Sequence, residues 1–118
     1  MKSRYTDPMR TINLNKELIM SCDAKKLDNL TSEDIPEGWK IKEVTGIGQL
    51  VKEFKFKNFV TAMHFSNEIA ELAELHNHHP MIISEWGKVT LHWWTHTAKG
   101  ISALDIKLAQ LSNELSTS

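Results

Sequence analysis

One cysteine, Cys22, is all the thiol that this 118-residue chain carries. It can close no internal disulfide and has no CxxC partner, so a disulfide framework and a cysteine zinc site are both excluded and Cys22 is expected to be inert. Long apolar runs are missing as well: none approaches the roughly 20 residues that a membrane-spanning helix requires, so the membrane is not an expected partner. Nor is there an excess of one charge. The formal net charge is −1 with histidine neutral, and the lysines are scattered rather than clustered. That distribution offers no basic stripe to a phosphate backbone, and nucleic acid is not an expected partner either. Near the beginning, Lys2, Arg4 and Arg10 are interrupted by Asp7 and Pro8 and no apolar segment follows. A secretory signal is therefore not supported, and cytoplasm is the expected location. Repeats and low-complexity tracts are absent too.

What is present is ordinary globular material, 41% hydrophobic and 25% charged, at a length typical of one domain. Residues 1–29 show no sustained periodicity beyond a short helical turn at Leu14–Met20 and read as a weakly structured arm. Residues 30–118 read as a single domain. Thr31-Ser32-Glu33-Asp34 resembles a helix start, which Pro36 and Gly38 stop within a turn. Alternation predicts strands over Trp39–Val44 and Gln49–Lys57, separated by a turn at Gly46 and Gly48, with Val51, Phe54 and Phe56 facing inward. Asn58 is a plausible cap for an amphipathic helix running to about Leu75, its apolar face built from Phe59, Ala62, Met63, Ser66, Ile69, Ala70 and Ala73. Pro80 requires that helix to end at His79 or earlier. Strands over Met81–Glu85 and Lys88–Thr95 flank a Trp86-Gly87 turn. Ser102 and Asp105 form a capping-box pattern ahead of a last helix carrying Ile106, Ala109, Leu111 and Leu115. The order strand, strand, helix, strand, strand, helix predicts an α+β fold, a four-stranded antiparallel sheet with helices packed on one face.

The unusual feature is histidine. Of six in the chain, His76, His78, His79, His92 and His96 crowd into a short C-terminal stretch. His78 and His79 stand at a helix exit and His96 at a strand end, where rigid elements can hold a site. An imidazole with an ordinary pKa of about 6.5 can give or take a proton near neutrality, and it can equally bind zinc. Histidines at a helix C-terminus are also explained without any site, because imidazolium is favourable beside the negative end of the helix dipole. Glu74 and Asp105 have similarly plain explanations as a solvated helix position and a cap. His76 and His92 read as surface residues, and the four tryptophans as core or interface.

The segment Glu74-Leu75-His76-Asn77-His78-His79-Pro80, followed by Trp86, His96 and Asp105, resembles the signature of the pterin-4a-carbinolamine dehydratases in a bacterial-type member. The likeness extends through Phe54-Lys55-Phe56-Lys57-Asn58-Phe59, Glu85-Trp86-Gly87-Lys88-Val89, Trp93-Trp94-Thr95-His96 and Gly100-Ile101 to Asp105, and covers about Trp39 to Ala109. It departs at Met81 and Ile82, where acidic and aromatic or aliphatic residues are often found, and at Trp86-Gly87 in place of Tyr-Asn. The family resemblance implies dehydration of 4a-hydroxytetrahydropterin to quinonoid dihydropterin, in tetrahydrobiopterin recycling, with no metal or other cofactor and in a homodimer or homotetramer. It implies His78, His79 and His96 as catalytic imidazoles, with Glu74, Trp86 and Asp105 binding or orienting. If the helix persists, Glu74 is expected to hold His78, four residues on, and Asp105 is expected to orient His96 across the loop. Two alternatives stand beside this: a metal-binding module using His76, His78, His79 and His96, and a pterin-binding or protein-dimerisation cofactor.

Overall fold

The computed structural model describes residues 25–117, so the Leu14–Met20 turn, Cys22 and most of the expected arm lie outside the described residues. A single 3-10 turn at Ser32–Asp34 precedes β1 (Lys40–Val44) and β2 (Ile47–Lys55), then α1 (Phe59–His76), β3 (Met81–Glu85), β4 (Lys88–Trp93) and α2 (Ala103–Ser116). The strands form one antiparallel sheet in the order β1-β2-β4-β3, with both helices packed against it, as the alternation of elements requires. Thr45 and Gly46 both take positive φ, 51° and 83°. That is the geometry of a tight two-residue hairpin turn between Val44 and Ile47. Gly48, expected in that turn, is instead a strand residue opposite Glu43.

Side chains alternate across a strand, so Leu50 and Phe54 of β2 share a face with Val89, Leu91 and Trp93 of β4. That face meets Ala62, Phe65, Ile69, Leu72 and Ala73 of α1 and Leu104, Leu108 and Ala109 of α2 in one core. Val51 stands on the opposite face, because an odd number of steps separates it from Phe54 and the two cannot point the same way. The buried stripe of α1 is also rotated from expectation. Phe65 and Leu72 are buried, whereas Phe59 and Met63 are exposed at 47% and 37%. An aromatic chain runs Trp39, Phe54, Phe65, Phe56, with successive ring centroids 5.9, 4.8 and 5.1 Å apart. Asn113 ties α2 to this side: its Oδ1 accepts from Trp39 Nε1 at 3.0 Å and from Lys52 Nζ at 2.8 Å. Leu27, just inside the described residues, donates its N–H to the Ile101 carbonyl at 2.8 Å.

His92, expected at the surface, is buried on the sheet face away from the core, where its Nδ1–H donates to Gln49 Oε1 at 2.7 Å. Burial pushes its pKa below the ordinary histidine value, and the Lys42 ammonium pushes the same way. The unfolded chain therefore takes up this proton more readily than the fold does. Stability from neutral His92 is complete above the unfolded value of about 6.5 and is lost as pH falls through the lower folded value. His92→Gln should accordingly lose less melting temperature than the parent between pH 8 and pH 5, and equal losses would clear His92 of that role.

Candidate functional site

The C-terminal end of α1 determines where the histidines go. Asn77 adopts the left-handed conformation at φ 50° and ψ 44°, which asparagine tolerates better than most residues. Its N–H reaches the Glu74 carbonyl at 3.2 Å, and the His78 N–H reaches back to the Ala73 carbonyl at 3.1 Å. These are the paired bonds of a Schellman ending, satisfying carbonyls that the helix would otherwise leave open. The chain therefore leaves helical geometry before His78. The four-residue spacing that would have stacked Glu74 on His78 no longer holds. His78 turns inward while His79 emerges.

His78 is 3% exposed and Asp105 0%. They meet at 2.7 Å between Nε2 and Oδ1. The ring also lies parallel to the Trp93 indole, planes 8° apart and centroids 5.9 Å apart. The other carboxylate oxygen, Oδ2, accepts from Thr95 Oγ1 at 2.6 Å, from the Ser102 N–H at 2.8 Å and from Ser102 Oγ at 3.1 Å. Asp105 thus serves both as the capping-box residue of α2 and as the partner of a buried imidazole. It does not orient His96 as expected, since its oxygens are directed to His78, Thr95 and Ser102. Glu74 holds His79 instead of His78, with Oε2 and Nε2 2.7 Å apart and both side chains largely in solvent. At that exposure the pair aims a ring more than it stabilises the fold, contributing about 0–1 kcal/mol.

His96 is exposed in the turn after β4. Thr95 and Gly100 bridge the base of this turn, the Thr95 N–H donating to the Gly100 carbonyl at 2.8 Å. The His96 ring rests on Trp94, centroids 4.6 Å apart. Met81 pairs with His92, so the residues entering β3 and those leaving β4 lie at the same end of the sheet. His78 and His79 come to that end from one side, Thr95 and His96 from the other. Trp86 is not brought there. It is 72% exposed in the β3–β4 turn, at the far end of a strand that spans about 17 Å at 3.3–3.4 Å per residue. Within one protomer it cannot wall a pocket formed by these histidines.

His76, His78, His79 and His96 form no ligand group: among the described residues, no three His, Cys, Asp or Glu side chains are grouped to hold a metal ion. Two of these rings have their Nε2 atoms directed at carboxylates. Thr95 and Ser102, which support Asp105, and Trp93, which covers His78, were legible only as a neighbour of His96, a helix cap and a core residue.

Fold and site together define an α+β protein with a buried imidazole–carboxylate pair and two solvent-facing imidazoles at one end of its sheet. Residues 20–115 match the family model described as pterin 4 alpha carbinolamine dehydratase. The chain belongs to that family. It is 49% identical over 98 residues to a protein of Photobacterium profundum named "Putative pterin-4-alpha-carbinolamine dehydratase", covering 79% of this chain and 88% of that one. A protein of the same name from Hahella chejuensis is 42% identical over 88 residues, covering 75% and 77%. Among solved structures, a transcriptional coactivator/pterin dehydratase from Brucella melitensis superposes with a TM-score of 0.64 at 32% identity, over 75% of this chain and 99% of that one. A pterin dehydratase-like protein described as a RuBisCO assembly factor in the alpha-carboxysome shares the fold, with a TM-score of 0.59 at 20% identity, over 70% and 93%. No helix among the described residues is long and apolar enough to cross a membrane.

Proposed function

We propose that this protein dehydrates 4a-hydroxytetrahydropterin to quinonoid dihydropterin by histidine acid–base chemistry, in the recycling of tetrahydrobiopterin. The proposal is supported by membership of this family together with one buried imidazole, His78, and two exposed ones, His79 and His96, on the segments that leave α1 and β4. In the reaction the C4a–O bond breaks and the N5–H proton is lost, yielding one water. Hydroxide is a poor leaving group, since its conjugate acid has a pKa of about 15.7, so the departing oxygen must be protonated as the bond breaks. One imidazole supplies that proton and another accepts the one from N5. His79 and His96 take the proton-transfer roles because both rings reach solvent and each has a partner that aims it, Glu74 in one case and Trp94 in the other. His78, buried on Asp105, orients the pterin edge or serves as a third proton carrier. No metal or other cofactor takes part, and the protein works as a cytoplasmic homodimer or homotetramer.

The test is direct. 4a-Hydroxytetrahydropterin generated in a stopped-flow instrument should disappear faster in proportion to added protein. Decay at the uncatalysed rate at every protein concentration would refute the proposal.

A further inference from the structure

Asp105 carries more hydrogen bonds than a helix cap needs. One oxygen is committed to His78, and the other gathers two hydroxyls and a backbone N–H. All the groups involved are buried: Thr95 is 1% exposed and Ser102 and Asp105 are 0%. Thr95 Oγ1 gives its hydrogen to Oδ2, and the single hydrogen of Ser102 Oγ is shared between Oδ2 at 3.1 Å and Thr95 Oγ1 at 2.7 Å. The Thr95 hydroxyl and the Ser102 N–H, donating to Oδ2, fix the rotation of the carboxylate, so Oδ1 is presented to His78 as an acceptor and Nε2 carries the hydrogen. Thr95 is at the same time the backbone residue that closes the turn carrying His96.

We propose that Thr95, assisted by Ser102, is a positioning residue that sets the tautomer and ring plane of His78 through Asp105. One residue thereby couples the buried imidazole to the turn that presents His96. This inference deepens the dehydratase chemistry proposed above and rests on it for its kinetic consequence, though not for the state of the ring. Thr95→Val is nearly the same shape and removes only the hydroxyl, whereas Thr95→Ser restores it.

The ring is read by ¹⁵N NMR of the ligand-free protein. His78 should show an Nε2-protonated imidazole with a slowly exchanging proton in the parent and in Thr95→Ser, and a faster-exchanging or mixed signal in Thr95→Val. Turnover of 4a-hydroxytetrahydropterin should fall about ten- to a hundred-fold in kcat for Thr95→Val, as for other orienting partners of functional histidines. KM should stay within about two-fold, and Thr95→Ser should recover most of the loss. If Thr95→Val does not fold, Ser102→Ala keeps the backbone N–H on the same oxygen and carries the same test. An unchanged His78 signal in a folded variant overturns the inference, as does a fall in kcat that serine fails to rescue. A parent protein inactive on the carbinolamine overturns the dehydratase proposal alone, and the His78 spectrum then decides the positioning role.

Discussion

Asp105→Ala is expected to cost about 3–5 kcal/mol of folding stability, because it leaves several buried donors unsatisfied at about 1–3 kcal/mol each. Three donors lose their acceptor together, the His78 Nε2–H, the Thr95 hydroxyl and the Ser102 N–H, while the Ser102 hydroxyl keeps Thr95 Oγ1. In a domain of this size, at about 4–8 °C per kcal/mol, that lowers the melting temperature by roughly 12–40 °C. The same deletion removes the capping box that starts α2. Asp105→Asn separates stability from chemistry. Its amide oxygen can still serve Thr95 and Ser102, but its NH₂ then faces His78 and requires Nε2 to accept, which is the opposite tautomer. Asparagine should therefore melt well above alanine and still lose most of its activity. Calorimetry of both variants beside their turnover distinguishes the cases, and a fully active Asp105→Asn would make the His78 contact purely structural.

His79→Ala and His96→Ala are each expected to lower kcat by at least ten-fold, and by up to the about 10²–10⁴ that a well-placed acid or base contributes. Neither should unsettle the fold, because both rings are exposed and their contacts, to Glu74 and to Trp94, contribute little to stability. The expected pattern is thus inactive protein with a nearly unchanged melting temperature, the reverse of a structural histidine. Combining the two substitutions should leave little more than solution-rate decay, since the departing hydroxide and the N5 proton then lack both partners. Undiminished turnover in either single variant removes that residue from the chemistry. Glu74→Gln should give a smaller loss, because it keeps a hydrogen-bonding group beside His79 and deletes only the charge.

Periodicity carried much of the fold. Met81–Glu85 forms as expected from its alternation, Asn58 caps α1, and Ser102 with Asp105 starts α2. The departures share a physical origin: spacing reports the backbone repeat, but not which way a side chain turns once the repeat ends. Glu74 and His78 would be neighbours on an unbroken helix. A left-handed Asn77 ends the helix two residues after Leu75 and gives Glu74 to His79 instead. Adjacent histidines then part company, one into the core and one into solvent, a separation no linear pattern encodes. His92 departs from expectation for a related reason. Its strand face lies away from the helices, which predicts exposure, yet Gln49 on the neighbouring strand pairs with it in a buried contact of high sequence separation. Trp86 belongs to the family pattern, but the register of β3 carries it to the other end of the sheet. The histidine-proline segment and Asp105 were legible from sequence. Their pairing became visible only once α1 ended and α2 began at the same place.

A crystal structure with a non-reactive pterin bound would show most directly whether the imidazole-lined end of the sheet holds the substrate. The expected result is the C4a and N5 edge of the ring within hydrogen-bonding reach of His79 and His96, with His78 still on Asp105. A pterin bound elsewhere, its reacting edge away from all three rings, would contradict this chemistry.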